Sequence, residues 1–438
     1  MTTGPVAGHL TRMTLPMVVG ILAVLSISVA DTYFVAQLGT NELAALSFTF
    51  PVVFCMASIG IGLGAGASSV VSRALGSGDE GRVRRLATGS LVLALLIVGS
   101  LATLGMLTIE PLFRLLGARP AQMEHITAYM RIWYPGMVML VVPMVANNIL
   151  RATGDAIFPS VVMIVAAVVN IALDPILIFG LGPIPAMGVE GAAWATLAAR
   201  FAPLAGSLYL LHYREGMLEF KIPPMAELRD CWRSIAAVSL PAAMGNVVNP
   251  LGYGILTAII ARFGADAVAG FGVATRIEAL ALVPLFALSA GIAPIAGQNW
   301  GAGKGERIRL ALVQCFAAGA FWSVLLAASF WLFGEEVVRL FNPDAEIVRV
   351  ATGYLDIVPL SLAGFGMLIC AAAAFNAIGQ AARGLFLHIA RTLALTAPLA
   401  WVGAVLLGPL GIALAVAAAN VLSAGITLWQ SRRILLRS

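Results

Sequence analysis

The chain is short of charge. Of 438 residues only 11% are Asp, Glu, Lys or Arg, where soluble domains carry about a quarter. A soluble enzyme of this length needs more polar surface than that, so the shortage excludes a soluble globular protein. A disordered chain and a nucleic-acid binder are excluded with it. Cysteine is scarce as well. Cys55, Cys231, Cys315 and Cys370 stand alone, with no CxxC pair. They offer neither metal-ligand spacing nor a disulfide framework and read as small buried residues. No GKS or GKT accompanies the glycine-rich stretch GIGLGAGAS at 60–68. That stretch is expected to pack helices closely rather than cradle a phosphate. With no nucleotide-binding motif, the energy source expected is an ion gradient, and no cofactor is expected.

What is abundant is apolar sequence: 60% of the residues, with a mean hydropathy of +0.96. The apolar runs are continuous rather than alternating, which excludes an outer-membrane barrel and predicts helical spans of roughly 20 residues or more. Twelve are legible, near 13–36, 43–72, 86–108, 125–150, 157–181, 186–211, 235–261, 268–298, 308–333, 345–372, 384–407 and 410–431. The first is too long for a cleavable signal, contains Asp31, and is expected to be a transmembrane helix. The polar connector 212–234, with Pro223-Pro224, divides an N-lobe, 1–211, from a C-lobe, 235–438.

Loop charge sets the orientation. With the N-terminus inside, eighteen Lys and Arg fall on inside loops, Arg391 counted among them, and six on outside loops; Arg200 and Arg276 fall within spans. That bias predicts both termini in the cytoplasm and a multi-pass protein of the cell inner membrane, in contact with lipid. The net charge of +5 needs no anionic partner.

The two halves are related. A shift of 225 residues lays Leu15-Pro16 on Leu240-Pro241, Gly39 on Gly264, Gly78 on Gly303, Tyr129 on Tyr354 and Gly154 on Gly379. After a small deletion, Gly191 and Ala195 meet Gly411 and Ala415. Six spans per repeat give both halves one orientation, so this is a parallel repeat about an axis along the membrane normal. Two matched bundles suit alternating access, which a channel or scaffold does not need.

Charge at bilayer depth costs about 2.5–3.5 kcal/mol or more, so buried ionisable residues are functional candidates. Asp31 in span 1 and Asp174 in span 5 are the clearest. Asn170 precedes Asp174 by four residues and shares its helix face. Two carboxylates with an amide can hold a desolvated cation, or a proton, because low dielectric favours a neutral carboxyl. Pro16 interrupts the backbone bonding of span 1 and is a candidate bending point. Asp31 aligns with Leu256, so the acid has no counterpart in the second half. Arg276, Glu278 and Asp356 are candidate C-lobe polar residues, with Arg276 a candidate partner for one of the acids. Asn246, Asn249, Asn147 and Asn148 read as amides that join helices.

These segments together resemble the multidrug and toxic compound extrusion (MATE) family, and the DinF-like branch most. The resemblance is carried by LPMVVG, ADTYFVAQLG at 30–39, ILRATGD at 149–155, NIALDPILIFG at 170–180, GVEGAAWAT at 188–196 and GQNWGAGK at 297–304, and covers nearly the whole chain. It implies an all-α, two-lobe, twelve-helix antiporter, not an enzyme. Such proteins export amphipathic, often cationic, drug-like compounds in exchange for Na⁺ or H⁺. It implies a coupling-ion site, with possible Na⁺, at Asp31, Asn170, Asp174 and Thr196, Pro16 as the bending residue, and a substrate cleft lined by Asn147, Tyr129 and Asp31. It also implies a monomer. Two departures stand out. GPIP at 182–185 lengthens the turn before Thr196, which puts the position of Thr196 in question. Span 7 has no acid, which counts against the C-lobe cation site of the NorM-like branch, of which Asp356 is a candidate remnant. The alternative is a flippase for lipid-linked oligosaccharide or peptidoglycan precursors. It would need several cations at depth to meet pyrophosphate, against the two found.

Overall fold

The computed structural model describes residues 1–219 and 224–435, without the side chains of Thr40, Asn41, Ala121, Arg433 and Leu435. Residues 220–223 of the connector, Pro223 among them, lie outside the described residues. In a bilayer each backbone N–H and C=O must be satisfied within its own segment, and the apolar runs accordingly fold as helices. They are α1 (Val6–Ala36), α2 (Thr40–Ser77), α3 (Glu80–Leu115), α4 (Pro120–Thr153), α5 (Ile157–Phe179), α6 (Gly188–Tyr209), α7 (Met225–Ile260), α8 (Ala265–Ala281), α9 (Val283–Gly301), α10 (Gly305–Phe341), α11 (Ala345–Ala377), α12 (Ala381–Ile389), α13 (Ala397–Leu407) and α14 (Pro409–Leu435). A π-helical segment, Ala390–Thr396, joins α12 to α13.

Among the described residues ten helical stretches are long and apolar enough to cross a membrane, α12 through α13 counting as one. The pair α8 and α9, bent by 40°, makes an eleventh. The bend falls before Pro284, and Trp322 Nε1 donates to the Ala281 carbonyl there at 2.9 Å. The twelfth is α6, which is less apolar because it carries Glu190 and Arg200. The result is the all-helical, twelve-span, two-bundle architecture expected. Arg391, counted above as a loop residue, sits inside the α12–α13 span.

The repeat is written in the backbone. Gly39 and Gly264, Gly78 and Gly303, Gly154 and Gly379, and Gly188 and Gly408 all have positive φ. These are helix-end turns, where glycine is the least strained residue. Asp155 follows one of them and accepts from the Ile157 and Phe158 amides at 3.0 and 3.1 Å, capping α5.

The chain divides into two compact units, Val19–Ala243 and Met1–Val18 with Met244–Ser438. The divisions fall within α1 and within α7, a few residues after Pro16 and its repeat mate Pro241, and are themselves 225 residues apart. In the first unit the 60–68 glycines bring α2 against α4 and α7: a Cβ on Gly62 would stand 2.6 Å from Ser239 O, and one on Gly64 2.8 Å from Asn148 Cγ. The stretch is a helix-packing device, as its composition predicts. In the second unit Phe375, Leu368, Leu355 and Cys370 of α11 are almost fully buried, so α11 is the centre of that bundle.

Candidate functional site

The first unit holds a buried polar cluster. Asp31 comes from α1, Asn170 and Asp174 from α5, and Thr196 from α6. Asp174 and Asn170 are 0% and 1% exposed. Their elements meet because α6 turns back tightly on α5. The Met187 amide donates to the Leu177 carbonyl at 3.0 Å, and Leu181 and Ile184 pair across the turn. Gly191 lies so close to α5 that a Cβ would stand 2.5 Å from Leu177 C. The GPIP turn therefore does not displace Thr196: its hydroxyl lies 3.5 Å from Asn170 Nδ2.

The Asp31 and Asp174 carboxyls lie within interaction range of each other, and Asn170 within range of Asp31. Carboxylates only accept hydrogen bonds, so such an approach needs a proton or a cation between them. Asp31 Oδ1, Asn170 Oδ1 and both Asp174 oxygens are buried with no hydrogen-bond partner. Four acceptor oxygens with a hydroxyl beside them form a hard-cation donor set that serves a proton equally well.

Arg200, one helical turn beyond Thr196, faces the same cluster, within electrostatic reach of Asp31 and Tyr129. Its place at membrane depth is legible in the sequence, and its spacing of four residues from Thr196 is the signal that ties it to the cluster. Tyr129 is 7% exposed and near both acids. Asn147 is not brought to them: it lies eighteen residues further along α4, about 27 Å at 1.5 Å per residue, with its Oδ1 buried and unbonded.

Of the C-lobe candidates, Arg276 and Asp356 are exposed on the helical surface and neither forms an ion pair among the described residues. Arg276 and Glu278 are two residues apart on α8, so they face apart. Glu278 is 3% exposed and accepts from Tyr354 at 2.8 Å and Tyr253 at 3.4 Å. Tyr354 is the repeat mate of Tyr129, a pairing visible in the sequence, although its partner acid was not.

Twelve helical spans, an internal duplication and buried acids in place of a catalytic constellation define a solute carrier of the membrane. The MatE family model matches the chain twice, over residues 16–176 and 241–402, and the two matches start one repeat shift apart. The chain belongs to the MATE family of transporters. It is 37% identical over 434 residues to a protein named FAD transporter from Shewanella oneidensis, covering 99% of this chain and 96% of that one. A probable multidrug resistance protein, YoeA, of Bacillus subtilis is 27% identical over 78% of this chain and 74% of its own. Among solved structures, the Vibrio cholerae MATE transporter VcmN in its bent form superposes with a TM-score of 0.92 at 27% identity, covering 98% of this chain and 97% of that one.

Proposed function

We propose that the chain is a secondary active antiporter of the inner membrane, with cytoplasmic termini. It exports amphipathic solutes in exchange for Na⁺ or H⁺ bound among Asp31, Asn170, Asp174 and Thr196. The observation that carries this reading is the set of four buried acceptor oxygens without donors at those residues. An unfilled acceptor set at membrane depth is costly unless a cation or proton visits it. Arrival of the ion neutralises the acid pair, and Pro16 lets α1 bend in response. Tyr129 lies beside the acids, so solute and ion favour different states of one lobe, which is what exchange requires. Asn147 belongs to the solute path, away from the ion. The chain works as a monomer in the lipid.

The greater identity to a protein named FAD transporter than to those named for multidrug resistance favours planar aromatic solutes, flavins included, within this class. Transport into inside-out vesicles, with Na⁺ and pH gradients imposed separately, tests the reading. Asp31→Asn and Asp174→Asn should each abolish gradient-driven uptake of solute. Undiminished uptake in both variants would sink it.

A further inference from the structure

The second unit contains a polar arrangement that the ion site does not use. Gly245, Asn249, Gly252 and Tyr253 form one face of α7, at helical spacing. A Cβ on Gly245 would stand 3.2 Å from His388 Cδ2, and one on Gly252 3.7 Å from Thr392 Cβ. The two glycines therefore bring α7 directly against α12 and the π segment, where Thr392 Oγ1 lies 3.5 Å from Asn249 Oδ1. Between His388 and Thr392, on the widened turn, is Arg391. Single π turns re-aim side chains and recur at functional sites. Here the Arg391 carbonyl accepts from the side-chain hydroxyl of Thr396, five residues on, at 2.8 Å.

The Arg391 guanidinium is held by one edge and one face. Its Nε donates to Asn420 Oδ1 at 2.7 Å, and Asn420 is fixed by donating its own amide to Ser361 at 2.9 Å. The guanidinium carbon lies 4.4 Å over the Phe365 ring. Among the described residues its two terminal nitrogens make no hydrogen bond and no carboxylate pairs with them. Glu278, the buried acid of the same unit, is within electrostatic reach of Arg391 but forms no ion pair with it among the described residues and accepts instead from two tyrosine hydroxyls. His388 Nδ1 is buried and unpartnered.

A guanidinium gripped at Nε and on its face leaves its Nη fork as the part on offer. That fork matches a two-oxygen anion and is not replaced by an ammonium. A purely structural arginine at this depth would be expected to use those donors on carbonyls or a carboxylate. We propose that Arg391, with His388 beside it, receives a phosphate-type anionic group of the transported solute. The chain then carries planar aromatic anions of the flavin-nucleotide kind. This rests on the antiporter reading given above and adds the solute class to it.

The test is transport by the purified full chain in liposomes under one imposed ion gradient, with FAD, riboflavin and ethidium as solutes. Riboflavin shares the ring without the phosphates; ethidium is a planar cation. The wild type should carry FAD. Arg391→Gln should raise KM for FAD about tenfold or more, the size of one charge-assisted hydrogen bond, with riboflavin and ethidium unchanged. Arg391→Lys should recover only part of the loss. A phosphate group can also arrive on a lipid. Inorganic pyrophosphate and liposomes doped with a polyprenyl pyrophosphate are therefore added as separate competitors; inhibition of the wild type but not of Arg391→Gln supports the subsite and names its source. The proposal is overturned if the wild type carries no FAD, if Arg391→Gln leaves KM for FAD unchanged, or if it impairs all three solutes alike. Failure of the antiporter reading looks different: transport would then persist without a gradient and in Asp31→Asn.

Discussion

Gly191→Ala reports on whether close helix packing sets the ion site. A Cβ at position 191 would lie 2.5 Å from Leu177 C and 2.8 Å from Ile178 N, backbone atoms that cannot rotate away, whereas ordinary contact begins at 3.4 Å. To admit the methyl, the start of α6 must retreat from α5 by about 0.9 Å, at an overpacking cost of about 1–3 kcal/mol. Thr196 is on the same rigid helix, and its contact with Asn170 is already 3.5 Å long. The retreat carries that contact to about 4.4 Å, beyond a hydrogen bond. Gly191→Ala should therefore lower Tm in detergent and raise the half-saturating coupling-ion concentration in vesicle transport. Two controls separate the effects. Gly99→Ala, in α3 with nothing within 4 Å, should be neutral or stabilising by up to about 1 kcal/mol from helix propensity. Gly411→Ala, the repeat mate, would place a Cβ 2.9 Å from Gly403 Cα and should lower Tm without touching ion affinity. The reasoning is refuted if Gly191→Ala melts no lower than Gly99→Ala, or if it melts lower with ion affinity unchanged.

Two further substitutions probe single hydroxyls. Thr196→Val keeps the branched shape and removes Oγ1; the half-saturating ion concentration should rise about fivefold, one neutral hydrogen bond's worth, and Thr196→Ser should restore it. An unshifted value in Thr196→Val would remove Thr196 from the donor set. Tyr354→Phe keeps the edge-on contact with Phe271, whose ring centroid is 5.6 Å away, but leaves Glu278 only the 3.4 Å bond from Tyr253. It should destabilise by about 1–3 kcal/mol, read as a drop in Tm, and an unchanged Tm would show that this hydroxyl does not hold the acid.

The architecture was legible because a bilayer leaves a chain few options: long apolar runs can only be helices, and their charges sort by side. The first cluster was legible because intramembrane acids are rare, and Asn170 and Asp174 stand at helical spacing. The second cluster was not. Arg391 sits ten residues into its span, and only the π segment and the Asn420 and Phe365 contacts explain how a guanidinium is kept there. The span expected at 384–407 contains Arg391, but the loop-charge tally puts it with the inside loops, so the sequence assigns it no role at depth. Arg276 drew attention by its neighbour in sequence, Glu278, although two residues on a helix point apart. The close approach of Gly191 to α5 depends on the turn between them, which its GPIP composition does not specify.

Duplication has kept the backbone and released the chemistry. Gly191 and Gly411 both sit against the backbone of the preceding helix, and four pairs of turn glycines keep their positive φ across the repeat. These positions tolerate little else, since any side chain there meets backbone or a strained φ. The polar residues obey no such rule. Tyr129 and Tyr354 persist as a pair, yet their acids come from α1 and α5 in one unit and from α8 in the other. Among the described residues, one unit buries acceptors without donors, the other a guanidinium whose terminal nitrogens make no hydrogen bond.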